Sequence, residues 1–375
     1  MKAPLNLAFF GSSLVSAYWN GPATYYRGLL RALAQRGHRV TFYEPHAPDR
    51  QSHRDLPDPP WARVVSYPAQ NPDDTLAAAA AARGADLVVK ASGVGAHDAL
   101  LEAAVLDLRG PATLVAFWDV EAPATLDRVA ADPTDPLPAL VPQYDLVFTS
   151  GGGAPVIKAY DRLGARRCVP IHPAIDPATH FRVAAEARFE GDLAFLGNRL
   201  PDRERRAEEF FLAVARRRQD ARFVLGGSGW EDKPRPVNLR YVGHVFTRDH
   251  NAFNSSPLAV LNVTRESMAR YGFSPAPRVF EAAGAGACLV TDAWEGVELF
   301  LEPESEVLVA RSGAEVAAHL AALTPQRARE IGRAARRCTH EVVLCDSGKP
   351  PPLRLWPLSP SRRSLAAATL PTRRA

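Results

Sequence analysis

Cysteine is scarce in this 375-residue chain, which holds four: Cys168, Cys288, Cys338 and Cys345. No two are spaced C-x-x-C, so a zinc ribbon or a thioredoxin-type site is unsupported. Four cysteines at this length do not make a disulfide scaffold and fit a reducing compartment. Long hydrophobic runs are missing too. The Ala77–Ala82 run is too short and too weakly apolar to span a bilayer. Met1–Leu5 leads straight into a strand-like segment with no apolar stretch before a small-residue cleavage site, so no signal peptide is expected. A cytoplasmic location is therefore expected, with at most peripheral membrane association. No G-x-G-x-x-G fingerprint follows the first strand, which weakens a nicotinamide dinucleotide reading.

What is present is an alternation of short apolar runs and helical periods. Leu5–Phe10 ends at Gly11 and reads as a buried parallel strand. Pro22 stands where a helix would begin, Tyr25, Leu29, Leu30 and Leu33 recur at helical spacing, and Gly37 is a helix stop. Arg39–Glu44 is the next strand, completing a βαβ unit. Ala47–Pro60, rich in Pro, Asp and His, is expected to be an exposed loop. Strands are expected at 86–90, 112–117, 145–149 and 167–171. A second series opens at Asp192–Gly197, again a strand ended by glycine, followed by a charged helix over 202–218 with Phe210, Phe211 and Val214 on its buried face. Further strands are expected at 222–225, 239–242, 258–263, 288–291 and 306–309. The repeated plan predicts an α/β chain of two doubly wound domains facing across a cleft, residues 1–175 and 176–337.

Ligands of such sheets bind beyond the carboxyl ends of the strands, which selects the loops to inspect. The first, Gly11–Gly21 with Asn20, places a helix N-terminus beside a ligand or is only a tight turn. In Trp118–Pro123, Asp119 is a candidate general base, and either Asp119 or Glu121 is a candidate helix cap. Gly151-Gly152-Gly153 offers an anion cradle or a chain reversal. Asn198, Arg199 and Arg203 lie at the first strand end of the second series, as a diphosphate clamp or a solvated basic helix start. Gly227 and Gly229 mark another strand end, where Trp230 stacks on a base or packs beneath the loop. In the richest stretch, Asn262–Asp292, Ser274 precedes a proline-started helix, and Arg278 and Glu281, three apart, share a helix face.

At these residues the chain resembles the CgeB-type, spore-maturation-like glycosyltransferases. The stretches 19–30, 117–123, 144–153, 196–203 and 271–296 carry the resemblance, which covers residues 5–337. It implies the GT-B fold of two Rossmann-like domains and sugar transfer from a nucleotide-diphosphate donor without a metal or other cofactor. No Asp-x-Asp motif is present. By the same resemblance Glu281 matches a ribose-binding Glu, Arg199 matches a diphosphate-binding Arg, and Arg203 replaces a partner Lys. The resemblance puts Gly11, Asn20, Gly21 and Asp119 on the acceptor side. Many retaining relatives carry a second Glu eight residues before Glu281; here that position is Phe273. The acceptor (glycan, lipid or protein) is left open. A GT-B-fold glycan-binding protein without turnover and a sugar-nucleotide epimerase are the alternatives.

The resemblance stops at Arg337. Residues 338–375 carry six prolines and no helical or strand period, and are expected to be disordered. They hold six basic and two acidic residues, which is the whole of the chain's +4 net charge. Residues 1–337 are neutral overall, so the pI near 8.9 does not argue for a nucleic-acid partner.

Overall fold

The computed structural model describes residues 3–344, with side chains to residue 340. Two all-parallel sheets divide the chain. The first runs β1 (Asn6–Phe10), β2 (Arg39–Pro45), β3 (Arg63–Tyr67), β4 (Leu87–Ala91), β5 (Leu114–Asp119), β6 (Leu146–Thr149) and β7 (Cys168–Pro170), in the spatial order 3-2-1-4-5-6-7. The second runs β8 (Leu193–Leu196), β9 (Phe223–Gly226), β10 (Leu239–Tyr241), β11 (Ala259–Asn262), β12 (Leu289–Asp292) and β13 (Leu308–Ala310), in the order 10-9-8-11-12-13. Each sheet is covered on both faces by helices, so its central strands are apolar throughout: β8 and β11 are buried at every position. The doubly wound fold class expected from the alternation is the one observed.

Each order reverses once, between β1 and β4 and between β8 and β11. Loops leaving a sheet at such a point diverge to opposite faces and open a crevice. Both crevices face each other, and the chain crosses between them at closely fitted points. The Gly152 amide donates to the Phe273 carbonyl (2.9 Å), and the Thr247 amide donates to Asp55 Oδ1 (2.9 Å). The triple glycine thus makes a domain contact. A Cβ on Gly151 would sit 2.8 Å from Ser274 Cα, so only glycine lets the two backbones approach there.

Three expectations about elements need correction. Strand β3 lies in a stretch not read as a strand, because Arg63 and Ser66 interrupt its apolar pattern at the sheet edge. The expected loop over 47–60 contains a short helix, Pro48–Ser52, opened by its proline. The chain also stays ordered beyond Arg337: a helix runs Pro325–Leu344. Ala328, Ile331 and Ala335 are buried on it, and Cys338 Sγ donates to the Phe300 carbonyl (3.5 Å). Packing against Phe300 and Gly286 in the second domain stabilises a segment whose own composition is a weak helix signal. The remainder of the expected tail, 345–375, lies outside the described residues.

Candidate active site

A cavity of about 360 Å³ lies between the two crevices, a volume typical of small-molecule sites. It is lined by the loops after β1, β5, β8, β9 and β11 and by the start of the helix Pro277–Gly284. Three arginines face it, Arg203, Arg265 and Arg278, against two carboxylates, Glu121 and Glu281.

Arg203 sits in the first turn of the helix Pro201–Ala207. Its side chain is partly buried, with Nε fully enclosed, and makes no ion pair among the described residues. Nη1 reaches the Asn198 carbonyl at 3.4 Å, and Nε has no partner. Burial and the nearby Arg265 charge pull its pKa down to about 10. A partly buried cation left this poorly paired is costly unless an anion completes it.

Glu281 is 5% exposed and surrounded by donors. Thr24 Oγ1, from the first domain, donates to its Oε1 (2.6 Å), and Arg278 Nη1 lies 3.0 Å from Oε2. The Arg278 cation above all, with the Thr24 hydrogen bond, holds the carboxyl at about 2 despite burial. His250 Nδ1 is 3.7 Å from Oε2. Burial keeps that imidazole neutral, down to about 4, and its Nε2 faces the Val245 carbonyl (3.3 Å), which assigns the proton to Nε2. Nδ1 and Oε2 are then two buried acceptors side by side, neither with a hydrogen-bond partner. Two ligand hydroxyls, one donating to each, would satisfy both.

The loops are held by their own networks. Asp292, at the end of β12, accepts from the Thr264 amide (3.0 Å) and hydroxyl (2.8 Å) and is clamped by Arg206 (2.6 Å), which fixes the turn carrying Arg265. Asn198 Oδ1 accepts from the Ser228 amide (3.0 Å), joining the loops after β8 and β9. At Gly227, φ is +118°, and a Cβ would meet the Gly197 carbonyl at 2.3 Å. Ser274 is buried beside the cavity, its hydroxyl donating to the Gly272 carbonyl (2.8 Å).

The structure therefore brings Glu281, Arg278, Arg203, Asn198, Gly227, Ser274, Asn20 and Gly21 to one cavity. Asn20 is spent on its own loop, accepting from Ser12 Oγ and donating to the Ser13 and Ser16 carbonyls, so it shapes the wall and offers nothing polar. Four expectations fail. Gly11 does not reach the cavity; it packs under Phe42, whose ring a Cβ would touch at 2.6 Å. Gly229 is turned away, with the Trp19 ring and the Arg199 stem against it. Arg199 points outward and is neutralised by Glu204 and Asp232, both at 2.8 Å. Of the two readings of Trp230, packing beneath the loop is the one observed, its indole N–H donating to the Gly197 carbonyl (2.7 Å).

Asp119 is the fourth. It is wholly buried behind the cavity wall. Its carboxylate accepts from Ser92 Oγ (2.9 Å), Thr125 Oγ1 (2.9 Å), the Glu121 amide (3.1 Å) and Tyr160 OH. Such a group joins β5 to its neighbours and does not reach a substrate. Asp119→Ala is expected to lower stability by about 3 kcal/mol, since three buried hydroxyls lose their acceptor. Urea denaturation checks this; an unchanged midpoint would contradict the structural role.

Residues missed by sequence reasoning are Thr24, His180, His250 and Arg265. Thr24 and Arg265 stood inside stretches already singled out. The two histidines stand in short, motif-free segments, and only the fold carries them to Glu281.

Residues 203–346 match the model of a family described as glycosyl transferase-like. That match runs past Arg337, where the resemblance was expected to stop. Structurally, the chain is similar to sucrose-phosphate synthase from Thermosynechococcus elongatus, with a TM-score of 0.67, 16% identity, and coverage of 90% of this chain and 94% of the other. It is also similar to Anabaena HepE in complex with UDP and glucose, with a TM-score of 0.62, 11% identity, and coverage of 89% and 94%. The chain has the GT-B fold. A third GT-B neighbour is AviGT4, a glycosyltransferase of avilamycin A biosynthesis, at 19% identity, TM-score 0.53, and coverage of 90% and 93%. No curated protein matches this chain by sequence. No helix among its described residues is long and apolar enough to cross a membrane.

Proposed function

We propose that this chain moves a sugar from a nucleoside-diphosphate donor to an acceptor bound against the first domain, as a CgeB-type enzyme that draws its positive charge from arginines and not from a metal. The observation that carries the reading is the Arg203 guanidinium, partly buried at a cavity wall and without a carboxylate partner among the described residues. A diphosphate supplies the missing anion. When the sugar–oxygen bond breaks, negative charge grows on that leaving group, so Arg203 and Arg278 bind the transition state more strongly than the ground state. The side-by-side acceptors of Glu281 and His250 suit the hydroxyls of the donor's ribose. UDP, held by HepE, is the first ligand to test.

Saturating UDP is expected to raise the melting temperature, because a ligand present at a hundred times its Kd adds about 2.7 kcal/mol to the native state. Nicotinamide dinucleotide is expected to give no shift. A folded protein whose melting point moves with no nucleoside diphosphate would rule the reading out.

A further inference from the structure

Arg265 holds the two domains together through the cavity. Its Nε is anchored on Asp202 Oδ2 (2.7 Å), within the second domain. Its Nη1 crosses to Glu121 Oε1 (2.6 Å), at the start of the first domain's helix Ala122–Ala131. The two contacts differ in kind. The backbone beneath Arg265 is pinned through Thr264 to Asp292, and the arginine side chain is 15% exposed. Glu121 is 43% exposed and makes no helix cap. A half-hydrated carboxylate gives up such a pair at small cost. The guanidinium, by contrast, lines the same cavity as Arg203, and its charge adds to the burial that disfavours the Arg203 cation. Two converging cations at one wall want an anion of more than one charge, and a diphosphate accepts bidentate bonds from both.

We propose that Arg265 exchanges Glu121 for the donor diphosphate: empty, it ties its charge to the first domain, and loaded, it swings its Nη groups onto the phosphates while Nε stays on Asp202. This inference rests on the nucleotide-sugar reading of the same cavity. The exchange has a consequence on the other side of the cleft. Of the two carboxylates lining the cavity, Glu281 is already engaged by Arg278 and Thr24. Glu121 is the one on the first domain, and it loses its partner only when the donor is in place. A carboxylate able to take a proton from an acceptor hydroxyl is thereby exposed after donor binding and not before, which orders the two substrates. Arg265 acts here as a donor-binding and positioning residue.

The test is calorimetric titration of the full chain with UDP. Arg265→Ala is expected to weaken binding by roughly tenfold, the worth of a charge-assisted contact. Glu121→Gln is expected to tighten it by roughly threefold, because the pair that must break is gone. In the Arg265→Ala background, Glu121→Gln should lose that gain. Arg265→Ala binding UDP as the wild type does overturns the exchange. So does a Glu121→Gln chain that binds no more tightly than wild type. A gain that persists undiminished in the double variant overturns it too, since it would report the removal of a negative charge alone. Circular dichroism melts confirm that each variant is folded, and Glu121→Gln, at an exposed position, tests the pair even if Arg265→Ala folds poorly. A wild-type chain that binds no UDP sinks the donor reading and this inference with it; UDP binding that ignores Arg265 sinks only the exchange.

Discussion

Arg203→Met is expected to leave a folded protein that has lost UDP. The apolar stem of arginine is retained in shape by methionine, and what disappears is a partly buried charge with one long contact to a carbonyl and an unpaired Nε. Without ligand that charge is a burden, as its depressed pKa of about 10 reports. The variant should therefore resist urea at least as well as the wild type. With ligand the same charge is the principal partner of the diphosphate, so the Kd for UDP should rise at least a hundredfold, about 2.7 kcal/mol. Opposite signs for stability and binding mark a residue kept for function. Arg199→Met is the control: its charge is already met by Glu204 and Asp232 outside the cavity, and its UDP affinity should match the wild type. An Arg203→Met chain that binds UDP within threefold of wild type would remove Arg203 from the donor site.

Glu281→Gln is expected to have the opposite profile, a large loss of stability. Glutamine keeps the shape but leaves Arg278 buried with no counter-charge, a break that costs about 3–5 kcal/mol. It also weakens the Thr24 contact that joins the two domains. The pH dependence follows from the carboxyl's position. Its folded pKa, about 2, lies below the ordinary 4.5, so its contribution is fully present above about pH 4.5 and is lost as the pH falls from there toward 2. The span corresponds to about 3 kcal/mol. Urea titrations between pH 7 and pH 2.5 should show the wild type losing that increment and Glu281→Gln losing none of it. Parallel curves for the two proteins would show that Glu281 is not ionised and paired as described.

These two residues also show how much of the site was legible beforehand. Arg203 and Glu281 stand in stretches whose order along the chain resembles a known family, and both reach the cavity. Arg199 stands four positions from Arg203 and is the residue that the resemblance matches to a diphosphate-binding arginine. The choice between them depends on which way each side chain leaves the turn into the helix Pro201–Ala207. Glu204 and Asp232, five and 33 positions from Arg199, draw it outward. Asp119 failed for a related reason. A carboxylate at a strand end suits a base, yet Ser92, Thr125 and Tyr160 come from three other parts of the chain to consume it. Residues 338–344 have little helical period of their own, and the helix there continues from one already packed on the second domain.

Periodicity and glycine punctuation by themselves determined the two parallel sheets and the loops that bear function, because burial on both faces forces apolar strands and only certain residues close the turns. Tertiary structure alone decided which charges in those loops are satisfied and which are left waiting. That is a matter of partners distant in sequence: Thr24 with Glu281, Glu121 with Arg265, and Arg203 with no carboxylate among the described residues. Electrostatic balance in a buried cavity is set by what stands within a few ångströms, and no local pattern records it.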